Sequence, residues 1–171
     1  MKITNIHLHR KEKAKVLDVG FGTGVLTKKL YDGGYEIYGI DFSQRMIEIA
    51  REKMPLAKLI QYDFSKGLPE ELENKQFDYI ISTYAIHHLE DEDKIRFINR
   101  LEGHLSKDGR IIIGDIAFET RGLLEQCKAK FLDYWDDEEI YFVFDELKES
   151  FPDRDISFTT ISHCAGIIQK R

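Results

Sequence analysis

Three glycines at alternate positions, Gly20, Gly22 and Gly24 in the run Asp18 to Gly24 (DVGFGTG), directly follow a short apolar stretch, KVLDV at Lys15 to Val19. Glycine lets a backbone come close to a ligand, and the unpaired N–H groups of a following helix suit an anionic group such as a carboxylate. Taken alone, the same glycines serve equally for a tight strand-to-helix turn. Asp41 closes a second apolar stretch 23 residues after Asp18, where a carboxylate can accept hydrogen bonds from both hydroxyls of a ribose. Asp63 follows a third stretch, within YDF. Any one acid after a strand reads as a solvated turn residue; three strand ends in register, each with a suitable group, read as a site. A fourth stretch, FDYIIST, runs into Tyr84 and the pair His87-His88. Histidine titrates near neutrality and is the obvious general base where the reacting group carries a removable proton, although such a pair also serves simply to shape a loop. Adjacent histidines rarely chelate one ion together, and no nearby Cys or carboxylate spacing completes a set, so no metal is expected.

These residues need elements to hold them. Lys15 to Val19 ends in glycines as a buried strand does, and Leu26 and Leu30 then give a helical stripe that stops at Gly33-Gly34. The unit repeats: Glu36 to Ile40 as a strand, Ser43 as N-cap of a helix carrying Met46, Ile47, Ala50 and Met54, and Pro55 as its stop. Lys58 to Tyr62 is a third strand, and Phe77 to Thr83 is apolar nearly throughout, like a central parallel strand covered on both faces. Asp91, Glu92 and Asp93 open a helix with Ile95, Ile98, Leu101 and Leu105, ended by Lys107-Asp108-Gly109. Arg110 to Ile116 is a fifth strand with Asp115 near its end, placed either to touch a substrate or to begin the helix at Glu119. Glu119 to Phe151 reads as two helices broken near Asp136-Asp137. Ile156 to Ile161 and Ala165 to Gln169 read as an antiparallel edge pair.

Strands interleaved with helices predict a Rossmann-like, doubly wound, mostly parallel seven-stranded sheet with an antiparallel C-terminal strand pair. Such sheets take ligands beyond the carboxyl ends of their strands, beside the first one, so the glycine loop lines the site. A dinucleotide fingerprint would place its last glycine at position 25, which is Val25, and this disfavours a nicotinamide-dependent reductase.

The motifs VLDVGFGTG, the acid in IYGIDFS, YDF and FDYIISTYAIHHL together resemble the class I S-adenosylmethionine-dependent methyltransferases, over about Lys15 to Ile116. The likeness is greatest to the small-molecule branch, including quinone-biosynthesis-type enzymes and small uncharacterised bacterial methyltransferases. The resemblance implies S-adenosylmethionine as cofactor, with Asp18, Gly20 and Gly22 at its methionine end within a loop that includes Phe21 and Gly24. It implies Asp41 on the ribose hydroxyls, Phe42 against the adenine, Asp63 accepting from the exocyclic amine and Phe64 flanking the ring. Thr83 to His88 would face the sulfonium and a small-molecule acceptor. His87, His88 and Tyr84 are then the catalytic candidates, and Tyr84 or Phe21 could offer an aromatic face to the cationic donor or simply pack. The segment Trp135 to Phe144 (WDDEEIYFVF) could close over an apolar or cationic acceptor, with core packing as the competing use of its rings.

The chain has 171 residues, about one domain, and a net charge of −6 at 42% hydrophobic content. That balance disfavours nucleic acid and anionic membrane as partners. Cys127 and Cys164, 37 residues apart, lack metal or redox spacing and read as two buried, reduced thiols in a cytoplasmic protein. We therefore expect one cofactor-binding domain over 1–171, monomeric or homodimeric through its late aromatic-rich helices. The resemblance also implies more covering structure before the glycine loop than the 14 residues preceding Lys15, which as a helix would span about 21 Å. Residues 1–14, basic through His7, His9, Arg10, Lys11 and Lys13, would form a short lid. The alternative to an active enzyme is a binding module for S-adenosylmethionine or S-adenosylhomocysteine that turns over poorly because this cover is small. An RNA or protein methyltransferase is disfavoured because TYAIHH lacks an amine-clamping Asn/Asp-Pro-Pro-aromatic motif.

Overall fold

The structure is a computed structural model that describes residues 13–151 and 155–171. Strands β1 (Lys15–Val19), β2 (Glu36–Asp41), β3 (Lys58–Gln61), β4 (Phe77–Thr83) and β5 (Leu105–Phe118) alternate with helices α1 (Val25–Asp32), α2 (Gln44–Lys53) and α3 (Asp91–Glu102). Helix α4 (Arg121–Lys130), the two-residue β6 (Phe142–Val143), α5 (Phe144–Glu149), β7 (Ile156–Ser162) and β8 (Ala165–Lys170) follow. The sheet runs β3-β2-β1-β4-β5-β8-β7, with β6 paired to β5 off that path. It is parallel from β3 to β5 and antiparallel across β5-β8 and β8-β7. The expected doubly wound sheet with an antiparallel terminal pair is therefore present.

Alternation along each strand decides which face a residue serves. Leu17, Val19, Ile80, Ile111 and Ile113 join Phe97, Ile98 and Leu101 of α3 and Leu147 of α5 in the largest core cluster. Their neighbours Val16, Tyr79, Ile81 and Ile112 turn the other way, onto Leu30 of α1 and Ile37. Both faces are thus covered, as near-continuous apolar strands require. Ser43 caps α2 as expected, its hydroxyl accepting from Met46 N at 3.4 Å.

Three expectations are corrected. Helix α3 stops at Glu102 and not at Lys107-Asp108-Gly109; Leu105 opens β5. Gly103 and His104 turn the chain, His104 O accepting from Phe77 N at 2.8 Å and His104 Nδ1 contacting Lys75 O at 3.1 Å. These ties draw the chain to β4 before Gly109 is reached, and the register shifts between Phe77 and Tyr79 to absorb the extra residues. The 119–151 region holds two helices, but they are shorter than expected and separated by a 3₁₀ turn at Leu132–Tyr134 and by β6. Of the two free cysteines, Cys127 is buried but Cys164 only partly so. Most of the expected lid, residues 1–12, lies outside the described residues; Ala14 is buried in the core.

Phe77 enters β4 fully buried, edge-on to Tyr38 at 5.2 Å between ring centroids. Phe77→Ala is expected to cost about 3–5 kcal/mol, read as a lower urea midpoint at unchanged slope.

Candidate functional site

Strand β1 lies between β2 and β4, so the chain leaving its carboxyl end sits where connections diverge to opposite sides. Gly20 N donates to Ile40 O at 2.8 Å, which seats the glycine loop on the end of β2. Gly20 and Gly22 both hold positive φ, 69° and 56°, which favours glycine. Their surroundings differ. A Cβ on Gly20 would lie 2.4 Å from Ala85 Cβ and 3.6 Å from Phe64 Cε1, whereas one on Gly22 would meet nothing within 4 Å among the described residues. Gly20 is therefore required by packing, and Gly22 leaves an opening over the loop. Gly24 forms the left-handed N-cap of α1. The ring of Phe21 is buried among Ile47, Ala50, Met54 and Leu59, so its faces are taken up by packing.

Two carboxylates flank the loop. Asp41 Oδ2 accepts from Gly22 N at 2.8 Å and Oδ1 from Ser43 N at 2.9 Å. Asp18 is fully buried; its Oδ2 accepts from the Thr27 hydroxyl at 2.5 Å and its Oδ1 has no partner among the described residues. Burial first, and the charge of Asp41 after it, push Asp18 up to about 7 against the Thr27 hydrogen bond.

Beyond β2 and β3, Phe42 stands 68% exposed. Asp63 caps a 3₁₀ turn over Phe64–Lys66, its Oδ1 accepting from Ser65 N at 3.1 Å and Ser65 Oγ at 2.6 Å. The Ser65 hydroxyl bond holds Asp63 below the usual carboxylate range despite some desolvation. Phe64 is buried against Phe97 at 5.7 Å between centroids. Thr83 ends β4, paired with Gly114, and Tyr84 follows at φ 52°, left-handed and 45% exposed. Burial of its hydroxyl, and then the charge of Asp115, raise its pKa.

The histidine pair lies in a 3₁₀ turn, Ile86–His88. Asp115 neither points at an open site nor starts a helix; it is fully buried beneath this turn. Its Oδ2 accepts from Ile86 N and His87 N at 3.1 and 3.3 Å, and its Oδ1 from Ile116 N at 2.8 Å and His87 Nδ1 at 2.6 Å. On its other side, His87 Nε2 lies 3.4 Å from Glu139 Oε1. Burial alone would lower the His87 pKa, but the bond to Asp115 and the charges of Asp115 and Glu139 outweigh it and raise it. His88 is exposed, its ring centroid 4.2 Å from that of His87. The Glu139 segment is tied down: Ile140 N donates to His87 O at 3.0 Å, and the buried Lys94 Nζ donates to Ile140 O at 2.6 Å and to Asp91 Oδ1 at 2.7 Å. Trp135 and Tyr141 meet edge to face at 4.9 Å and pack on the cluster of Phe118, Leu124, Cys127 and Val143. Glu139 and Lys94 escape a reading of the sequence because Glu139 sits in an undifferentiated acidic run, DDEE, and Lys94 falls on a helix with many charges.

The family profile described as "Methyltransferase domain" matches residues 16–109, more than half of the chain. An uncharacterised methyltransferase of Alkaliphilus oremlandii is 33% identical over 141 residues, 82% of this chain and 62% of that protein. Another from Anoxybacillus flavithermus is 42% identical over 115 residues, 67% of this chain and 53% of that protein. The chain thus spans between about half and 62% of the length of these curated relatives. Among solved structures, the magnesium protoporphyrin IX methyltransferase of Synechocystis PCC 6803 with bound SAH superposes with a TM-score of 0.71 at 20% identity, over 93% of this chain and 74% of that one. At that identity the likeness speaks for the fold.

Asp18 gives the site a pH signature. Its folded pKa of about 7 lies above its ordinary 3.8, so it favours the folded state fully below pH 3.8 and progressively less as pH rises to 7. Relative to Asp18→Asn, the wild-type chain is expected to lose about 3 kcal/mol between pH 5 and pH 8, measured by urea unfolding at the two pH values. Parallel pH dependence in both proteins would show that Asp18 is ionised throughout.

Proposed function

Because the chain belongs to the class I S-adenosylmethionine-dependent methyltransferase family, we propose that it binds S-adenosylmethionine at the glycine loop and methylates a small-molecule acceptor. The observation that carries this reading is the loop itself: among the described residues a Cβ on Gly22 would meet nothing within 4 Å, the N–H of Gly22 is held by Asp41, and the buried Asp18 keeps one oxygen without a partner. A buried acceptor atom without a partner is costly and fits a site awaiting a donor. The residues present therefore suit the cofactor.

Each Asp41 oxygen accepts one backbone N–H, which leaves a second acceptor direction on each for the two ribose hydroxyls. Asp18 and the backbone of Gly20 and Gly22 are assigned to the methionine end. Phe42, exposed beside Asp41, is assigned to the adenine face, with Asp63 at its amine and Phe64 as floor beneath the loop. When bound, the cofactor supplies a methyl group already activated by a positively charged sulfur. The work left to the protein is to align an acceptor with that carbon and to exclude water, which needs no universal catalytic triad.

Thr83 and Tyr84 at the end of β4, with His88, are assigned to the acceptor side. Tyr84 and His88 are exposed there. His87, with a carboxylate at each ring nitrogen, acts as an anchor of the loop. A small acceptor is supported by the acidic net charge of −6 and by the named acceptor of the Synechocystis enzyme, a porphyrin. Among the described residues no helix is long and apolar enough to cross a membrane; together with two free cysteines, this supports assignment to the cytoplasm. The alternative of a module that binds without turnover gains nothing from the comparisons.

Calorimetric titration with S-adenosylhomocysteine is expected to show micromolar binding by the wild-type chain and at least tenfold weaker binding by Asp41→Ala. Adenosine should bind more tightly than 2′,3′-dideoxyadenosine to the wild type, with that difference gone in the variant. Gly22→Ala, strained by about 1–2 kcal/mol at its positive φ, should fold yet lose the ligand because its methyl fills the opening. No binding by the wild type, or unaltered binding by both variants, would overturn the assignment.

A further inference from the structure

Glu139 is 52 residues beyond His87, yet the fold brings its carboxylate against the histidine pair. One ligating atom from each of His87, His88 and Glu139 lies within 4.8 Å of the other two. The contact between His87 Nε2 and Glu139 Oε1, at 3.4 Å, is long for a hydrogen bond. Asp115 holds the other nitrogen at 2.6 Å and, as a carboxylate, accepts the Nδ1 proton. Nε2 is thus the nitrogen left to face the Glu139 carboxylate, and a cation seated between the two in place of a proton would be held from both sides. Two ligands each about 2.0–2.1 Å from one tetrahedral ion stand about 3.4 Å apart.

The surroundings are those of a metal ligand set. A carboxylate on the distal nitrogen fixes the tautomer and orientation of a metal-binding imidazole, and Asp115 stands in that place while itself held by three backbone N–H groups. Glu139 is delivered on a pinned segment, through Ile140 N to His87 O and Lys94 Nζ to Ile140 O. Two imidazoles and one carboxylate suit zinc-class ions; calcium and magnesium prefer sets made of oxygen alone.

We propose that His87, His88 and Glu139 form a site for one divalent transition-metal ion of the zinc class, with Asp115 as the residue that positions His87. Three protein ligands leave a fourth position for water or an incoming atom, and His88 is exposed at this rim. An acceptor carrying an O–H or S–H group would bind there as its anion, releasing its proton to solvent, because a bound cation lowers the pKa of such a group. That use rests on the methyltransferase reading; the ion site itself does not.

The test is titration of the full chain, stripped with chelator, with Co²⁺ as a coloured stand-in for zinc. The expected result is one equivalent per chain, with the visible absorption of four-coordinate cobalt, displaced by Zn²⁺. Glu139→Gln and His88→Ala should abolish that absorption, and Asp115→Asn should weaken binding about 10–100-fold. His88 is exposed, so His88→Ala serves as the variant whose melting temperature should match the wild type. No saturable binding by the wild type, or binding by His88→Ala and Glu139→Gln as strong as that of the wild type, overturns the site. S-adenosylhomocysteine binding measured on the same metal-free samples separates the two claims. Nucleoside binding without cobalt binding sinks the ion site alone; cobalt binding without nucleoside binding leaves the ion site and sinks its proposed use.

Discussion

A carboxylate removed from water must have its oxygens filled, or its burial costs several kcal/mol. Asp115 meets that demand with three backbone N–H groups and one imidazole nitrogen, all from β5 and the turn after β4. The consequence is mutual. The turn at Ile86–His88 is held in one shape because Asp115 is below it, and Asp115 tolerates full burial because the turn supplies donors. The tie orients the ring of His87, whose carbonyl in turn accepts from Ile140 N two residues before β6 pairs with β5.

The glycine-loop side is built on the opposite principle. Asp18 is just as buried but has one oxygen bonded and one orphaned, so its burial raises its pKa and leaves an unmet acceptor. Asp115 is a finished structure and Asp18 an unfinished one. Strain is similarly unequal: Gly20 is glycine because Ala85 leaves no room, while at Gly22 none of the described residues takes up the space. The unmet acceptor of Asp18 and the room at Gly22 support our assignment of the cofactor to the carboxyl end of β1.

The two halves meet at β4. Its residues Ile80 and Ile81 serve opposite faces of the sheet, and its end carries Thr83 and the left-handed Tyr84 out between the loop and the histidine turn. One strand thus sets the distance between the glycine loop and a rim of imidazole, phenol and carboxylate. Lys94 adds the last constraint by holding Ile140 from α3, so residues far along the chain complete the rim.

The sequence by itself determined β1 to β4, the glycine loop, the Ser43 cap and the terminal strand pair, because each is written in local patterns: alternation, a glycine spacing, a cap residue before an apolar stripe. It also placed Asp18, Asp41 and the histidine pair at strand ends. Only the tertiary structure decided where α3 ends, since Lys107-Asp108-Gly109 looks like a stop while the ties of His104 to Phe77 and Lys75 pull the chain into β5 earlier. It alone decided that Phe21 is packed away, that Asp115 faces inward, and that Glu139 stands beside His87. Those outcomes depend on pairing and burial between segments tens of residues apart, and a carboxylate in an acidic run has the same local appearance whether it meets solvent or an imidazole.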